Sequence, residues 1–218
     1  MTLPTWLTLS NALTAIEATA TVAFALSGLV EGVRKRLDAV GVAVVAGLTA
    51  FGGGTVRDVL LDRRPFFWVE HAGWVWALLA MTVAAMLFMR ARHLHPTLRA
   101  TQWPDAIGLG LFSAHGVQIA LNQGMPAIVA VLMGMITAVF GGVLRDIVCN
   151  EIPSAFSDHR PYAVCAFCGG WVLIGAQAGG LPEGVALLVA AAMATGLRAW
   201  AMVTDFTLPQ WRSDDDED

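Results

Sequence analysis

Long apolar runs alternate with short polar ones along the whole chain. Seven apolar stretches stand out: Ala12–Val30, Ala39–Leu61, Ala72–Met89, Ala106–Leu121, Met125–Val148, Tyr162–Leu181 and Gly184–Val203. A membrane-crossing helix needs about 20 mostly apolar residues, with a range of about 17–25. The pattern therefore predicts seven transmembrane helices joined by short connections, in one membrane domain over residues 1–218. The fourth stretch is the shortest and carries His115 and Gln118. No basic segment precedes the first, and Glu17 sits inside it, so it reads as a retained helix and not a cleaved signal.

Two interruptions of this pattern share a spelling. "FGGGTVRD" covers Phe51–Asp58, and "VFGGVLRD" covers Val139–Asp146. At a constant offset of 88, Thr49–Phe66 aligns with Thr137–Ser154 without a gap. Identities fall at Thr49/Thr137, Ala50/Ala138, Gly53/Gly141, Gly54/Gly142, Arg57/Arg145, Asp58/Asp146 and Pro65/Pro153. The same offset pairs Phe24 with Phe112, Gly28 with Gly116 and Ser27 with His115. The copies begin three segments apart, and an odd number of crossings reverses direction. Residues 12–89 and 106–181 are therefore predicted to be inverted three-helix repeats, a design common in transporters. The seventh helix, 184–203, stands outside them, and residues 204–218 form an acidic tail.

Glycine weakens a helix by about 1 kcal/mol relative to alanine. The paired glycines predict a kink or break at Gly53–Gly54 and at Gly141–Gly142, with freed backbone groups facing protein or a wet cavity. Arg57, Asp58, Arg145 and Asp146 follow one turn later. Adjacent helical residues do not face each other, so each is expected to pair elsewhere, with the other repeat as the symmetric choice. Ionisable groups within a membrane point to function. The competing reading is that they snorkel to the nearest interface while the glycines allow close packing.

Composition agrees with the pattern. Hydrophobic residues make up 56% of the chain and charged ones 14%, with a mean hydropathy of +0.64. Soluble domains carry about 25% charged residues, so an all-α integral membrane protein is expected. The net charge of −4 owes most to "SDDDED", Ser213–Asp218, a run that reads as a solvated end. With the N-terminus outside, 10 of the 13 basic residues fall on the inner side, which places the C-terminus in the cytoplasm and the chain in the cell (inner) membrane. No basic stripe suits nucleic acid. No nucleophile–base pair, phosphate loop or zinc motif appears, so an enzyme is excluded, and no metal or cofactor is expected.

The duplicated unit, with its "GGGTVRD" and "FGGVLRD" motifs and a seventh span, resembles the trimeric intracellular cation (TRIC) channel family. The prokaryotic branch overlaps a bacterial family labelled glycine transporter. The resemblance covers about Ala12 to Val203. It implies a homotrimer with a potassium-permeable path in each subunit, lined by the second and fifth helices. Gly53, Gly54, Gly141 and Gly142 would be the kinks. Arg57, Asp58, Arg145 and Asp146 would hold those helices and gate them. Animal members carry a basic lipid-binding motif; here the second copy reads "VLRDIV", and lipid-dependent gating does not carry over.

Potassium or sodium needs oxygen ligands or water. Thr49, Thr55, Thr137 and Ser27 are candidate pore-lining oxygens, although each threonine can also bond back to its own helix. His115 is a candidate proton-sensitive group or a packing histidine. "CAFC", Cys165–Cys168, has metal-ligand spacing but no second pair and reads as small buried residues. Gly28–Gly32 and Gly175–Gly179 suit close packing. Trp6, Trp68, Trp74, Trp103 and Trp211 suit an interfacial belt. Expected partners are the membrane lipid, monovalent cations and further copies of the chain. Two functions remain open: a gated cation channel, or a carrier for a small solute such as glycine.

Overall fold

A computed structural model describes residues 9–92 and 97–209. Trp6, Trp211 and the acidic run Ser213–Asp218 lie outside the described residues. Every element among those described is helical: α1 (Leu9–Arg34), α2 (Ala39–Leu60), α3 (Phe67–Glu70), α4 (Gly73–Arg92), α5 (Leu98–Asn122), α6 (Ala127–Val148), α7 (Ser154–Ser157), α8 (Ala163–Ala178) and α9 (Glu183–Thr204). A longer helix lies on each of the seven apolar stretches; α3 and α7 are single turns inside the loops. Among the described residues, four helical segments are long and apolar enough to cross a membrane: Leu13–Arg34, Ala39–Leu60, Ala127–Val148 and Glu183–Thr204. Gly73–Leu87 and Ala163–Ala178 are shorter apolar helices. Helix α5 begins eight residues before the apolar stretch it contains. Its early turns carry Thr101, Pro104 and Asp105, and Thr101 and Asp105 are buried against the protein, so an apolar run alone understates its length.

Helix α5 is central and packs on α1, α6, α8 and α9. Helices α2 and α6 cross beside it, and α4 leans on α2 at the periphery with Trp76, Val83 and Leu87 exposed. The two repeats end their motif helices alike. Leu61 and Cys149 donate their amides to the Arg57 and Arg145 carbonyls, at 2.9 and 3.0 Å. Asp62 and Asn150, at the same offset of 88, turn left-handed with φ of 50° and 56°. Arg63 and Glu151 then close on the Asp58 and Asp146 carbonyls, at 2.8 and 2.9 Å.

The expected break at the paired glycines is absent. Helices α2 and α6 run unbroken through Gly53–Gly54 and Gly141–Gly142, so no run of carbonyls is freed there. What these glycines supply is proximity. A Cβ on Gly53 would sit under 3.0 Å from the Thr137 carbonyl oxygen, and one on Gly141 equally close to that of Thr49. Gly54 lies against the Phe67 ring and Gly142 against the Tyr162 hydroxyl. Gly28 similarly brings α1 onto Ala46 and Thr49 of α2, whereas among the described residues nothing lies within 4 Å of a Cβ on Gly175. Beside the crossing, the Phe24 and Phe112 rings lie 5.4 Å apart, buried with Leu109 and Tyr162.

Candidate functional site

Each motif arginine is the hub of a buried cluster. Arg57 is 0% exposed and Asp58 is 1% exposed. Arg57 Nε donates to Asp58 Oδ1 at 2.9 Å, and Nη1 approaches His115 Nδ1 at 3.1 Å. A guanidinium only donates, so His115 Nδ1 is the acceptor and carries no proton. Arg57 Nη2 lies 2.8 Å from Asp58 Oδ1 but off the line of a hydrogen bond, and it has no hydrogen-bond partner among the described residues. It also lies 3.9 Å from Glu17 Oε1. Asp58 further accepts from Arg63 at 3.3 Å and from the Phe67 amide, the first of α3, at 3.4 Å.

The second cluster is tighter. Arg145 Nε donates to Asp146 Oδ1 at 2.8 Å. Arg145 Nη1 donates to Asp105 Oδ1 at 2.6 Å and to Ser27 Oγ at 2.7 Å. Tyr162 donates its hydroxyl to Asp105 Oδ2 at 2.6 Å, and Ser27 donates to the Thr101 carbonyl at 3.0 Å. Asp146 Oδ2 accepts from the Ser154 amide, the first of α7, at 2.8 Å. In both copies the motif aspartate therefore also caps the one-turn helix beyond the loop.

This corrects one expectation. Arg57 pairs with its own neighbour Asp58, and Arg145 with Asp146, instead of each seeking its ion-pair partner in the other repeat. The rule against adjacent pairs concerns side chains that project straight out. Here the long arginine side chain folds sideways around the last helical turn, where surrounding helices exclude water. The other repeat still contributes, through neutral groups: His115 reaches Arg57, and Ser27 reaches Arg145. The burial of Arg57 and Asp58 inside the protein also leaves no room for snorkelling to an interface.

The threonines are bonded to their own helices. Thr49 donates to the Val45 carbonyl and Thr137 to that of Met133, both at 2.6 Å. Thr55 donates to the Phe51 carbonyl at 2.8 Å and accepts from the Trp68 indole at 3.0 Å. Cys165 donates to the Pro161 carbonyl, and no group of metal-binding residues occurs among the described residues. Sequence reasoning missed Asp105 and Tyr162. A signal for Asp105 was present: the offset of 88 carries Glu17 onto it.

A cavity adjoins each cluster. One, of about 350 Å³, is lined by Glu17, Arg63, Glu70, His71, His115 and Asn122 among others. The other, of about 310 Å³, is lined by Glu31, Arg34, Asp105, Arg145, Asp158 and Arg198 among others. Glu17 lies in the first half of α1 and Glu31 near its end. The Asp58 end of α2 thus lies beside the start of α1, and the Asp146 end of α6 beside its finish. Lys35 and Arg34 pair with Glu151 there.

At the Glu31 cavity, Asp158 accepts from Arg160 Nε at 2.8 Å and from Arg198 Nη2 at 3.3 Å. Burial alone would raise the Asp158 carboxyl, but the hydrogen bond and charge of Arg160, and then Arg198, pull it below its ordinary value of 3.8. A depressed carboxyl stabilises the fold above its unfolded value, and that stability is lost as pH falls through the folded value. The difference in thermal midpoint between wild type and Asp158→Asn should be full at neutral pH and shrink below about pH 4. A difference that stays constant to pH 3 would place the contact's strength outside the charge.

The comparisons with known proteins agree with this architecture. The family model described as "Glycine transporter" matches residues 14–91 and 102–178. A UPF0126 membrane protein of Vibrio cholerae is 34% identical over 198 residues, covering 89% of this chain and 80% of the relative. One from Deinococcus radiodurans is 33% identical, covering 96% and 99%. Among solved structures, the TRIC trimeric intracellular cation channel orthologue from Rhodobacter sphaeroides is 34% identical, with a TM-score of 0.81 over 89% of this chain and 98% of that one. A prokaryotic TRIC channel crystallised in 0.5 M KCl is 26% identical, with a TM-score of 0.82 over 90% and 98%. The chain is a membrane protein and not an enzyme: it belongs to the family described as glycine transporter, and its fold is that of the prokaryotic TRIC channels.

Proposed function

We propose that the chain is a monovalent cation channel, permeable to potassium, assembled as a homotrimer with one path per subunit. The observation that carries this reading is the pair of charged cavities beside opposite ends of α1, with the α2–α6 crossing and the Phe24–Phe112 pair between them. Likeness to the TRIC cation channels supports it. In this reading residues 1–218 form one membrane domain with seven spanning helices. Helices α1–α4 and α5–α8 are inverted repeats, supported by the opposite directions in which α2 and α6 approach α1. The small residues at 53, 54, 141 and 142 let α2 and α6 bend against each other on opening. Arg57, Asp58, Arg145 and Asp146 hold the closed arrangement, and Thr49, Thr55, Thr137, Ser27 and His115 are its candidate polar lining. In this reading the chain sits in the inner membrane with its N-terminus outside and its C-terminus in the cytoplasm, an orientation that the excess of basic residues on one side supports.

A second reading, a carrier for glycine or a similar solute, is favoured by the description of the family that matches. Cavities at both ends of a filled middle also suit an occluded carrier. Reconstitution separates the two. The purified protein in planar bilayers should pass unitary potassium currents, proteoliposomes should show no saturable uptake of radiolabelled glycine, and native mass spectrometry should give three subunits. Saturable glycine uptake without unitary currents would establish the carrier instead.

A further inference from the structure

A smaller pocket lies beside the Glu31 cavity, on the outer seam between the start of α5 and the end of α9. Its volume is about 160 Å³, and Arg99, Gln102, Trp103, Arg160, Val203 and Asp205 line it. A water takes about 30 Å³, so there is room for about five, the scale of one phosphate group and its nearest waters. Two guanidinium groups meet here with donors to spare. Arg99, in the first turn of α5, makes no hydrogen bond or ion pair among the described residues. Arg160 gives Nε to Asp158 and Nη1 to Asp205, and its Nη2 donates no hydrogen bond among the described residues. The Asp205 side chain is 79% exposed, so water screens its charge. Apolar groups adjoin these charges. Trp103 of α5 and Val203 of α9 are exposed, and so is Ile107, one helical turn further along α5.

We infer that this pocket seats the headgroup phosphate of one anionic phospholipid, held between Arg99 and Arg160, with its acyl chains along Trp103, Ile107 and Val203. Charge, then an amphipathic ring, then apolar side chains is the order of environments that one leaflet presents: phosphate, interface, hydrocarbon. Guanidinium forks suit phosphate oxygens, donating two parallel hydrogen bonds to one group. An anionic lipid fits better than a zwitterionic one, because a headgroup ammonium would meet the surplus positive charge. The acidic run Ser213–Asp218 is a competing anion. It begins soon after Pro209, the last described residue, and the Leu208 amide donates to the His159 carbonyl, next to Arg160. That run carries no apolar side chain to cover Trp103, Ile107 and Val203. The inference rests on the orientation proposed above only for the leaflet, the inner one, and not on whether the path conducts.

Native mass spectrometry of the purified full-length protein tests it, with phosphatidylglycerol and phosphatidylcholine as probes. One phosphatidylglycerol per subunit should be retained under conditions that strip phosphatidylcholine. Arg99→Gln removes a charge with no partner among the described residues, so the fold should be unaffected. It should weaken phosphatidylglycerol binding about fivefold, the scale of one basic residue at an anionic membrane surface, and leave phosphatidylcholine unchanged. Arg99→Lys should keep most of the affinity. Arg36 is exposed just after α1 and does not line the pocket, so Arg36→Gln should change nothing. Wild-type phosphatidylglycerol affinity in Arg99→Gln overturns the site. An equal loss in Arg36→Gln does so too, by reducing the effect to general surface charge. Full displacement by inorganic phosphate would replace the lipid with a free anion. Retention seen only after deletion of residues 210–218 would give the pocket to the acidic run instead. Lipid retention is read without any current, so its failure leaves the channel proposal standing, and a protein that retains the lipid but passes no current rejects the channel alone.

Discussion

Asp58→Asn is expected to be far more damaging than Asp146→Asn, although the two residues are the same motif position. Among the described residues, Asp58 is the one carboxylate within 3 Å of the fully buried Arg57, and Glu17 is the next, at 3.9 Å. Removing one partner of a buried ion pair leaves an uncompensated charge, at a cost of about 3–5 kcal/mol. The asparagine would also face Arg63 and the Phe67 amide with a weaker acceptor. Arg145, by contrast, keeps Asp105 at 2.6 Å and Ser27 at 2.7 Å when Asp146 is neutralised. The loss there is one charged hydrogen bond and the weakened α7 cap, about 1.5–3 kcal/mol. Thermal unfolding in detergent should therefore rank wild type above Asp146→Asn and Asp146→Asn above Asp58→Asn, with potassium flux altered in both variants. Equal midpoints for the two variants would show that Arg57 finds another counter-charge. Wild-type stability and flux in both would reduce the clusters to inert anchors.

Adding a single methyl at Gly53 should destabilise the protein, although alanine is the better helix former by about 1 kcal/mol. The new Cβ would meet the Thr137 carbonyl oxygen at under 3.0 Å, and that atom belongs to the backbone of the facing helix. It cannot turn aside as a side chain would, so α2 and α6 must separate. Overpacking of this kind costs about 1–3 kcal/mol, occasionally more. Gly141→Ala meets the Thr49 carbonyl in the same way and should behave alike. Leucine at either position should abolish assembly or flux. Gly196→Ala supplies the opposite sign: among the described residues nothing lies within 4 Å of its would-be Cβ. There the helix propensity alone acts, and the thermal midpoint should hold or rise. A Gly53→Ala protein as stable as Gly196→Ala would mean that the crossing has room to spare.

The amino-acid sequence by itself determined the helical segments, the membrane class, the duplication and the four charged motif positions. These are carried by properties that survive without contacts: run length, hydropathy, and the recurrence of rare residues at one offset. What the charged residues touch was decided by the tertiary structure alone. In an apolar run of even hydropathy no stripe marks which side meets a neighbour, so the helix's rotation about its axis goes unstated. That rotation turns Arg57 toward His115, Arg145 toward Ser27 and Asp105, and Tyr162 onto the same carboxylate. It also decides what the glycines do. In isolation a glycine pair reads as a weak point in a helix. Against a facing backbone it is a place of close approach, and the tight packing of the two backbones holds α2 and α6 continuous. The offset of 88 aligns Glu17 with Asp105, but their different surroundings, Asp105 at 2.6 Å from Arg145 and Glu17 at 3.9 Å from Arg57, depend on ångström differences in packing that repeated residues cannot encode.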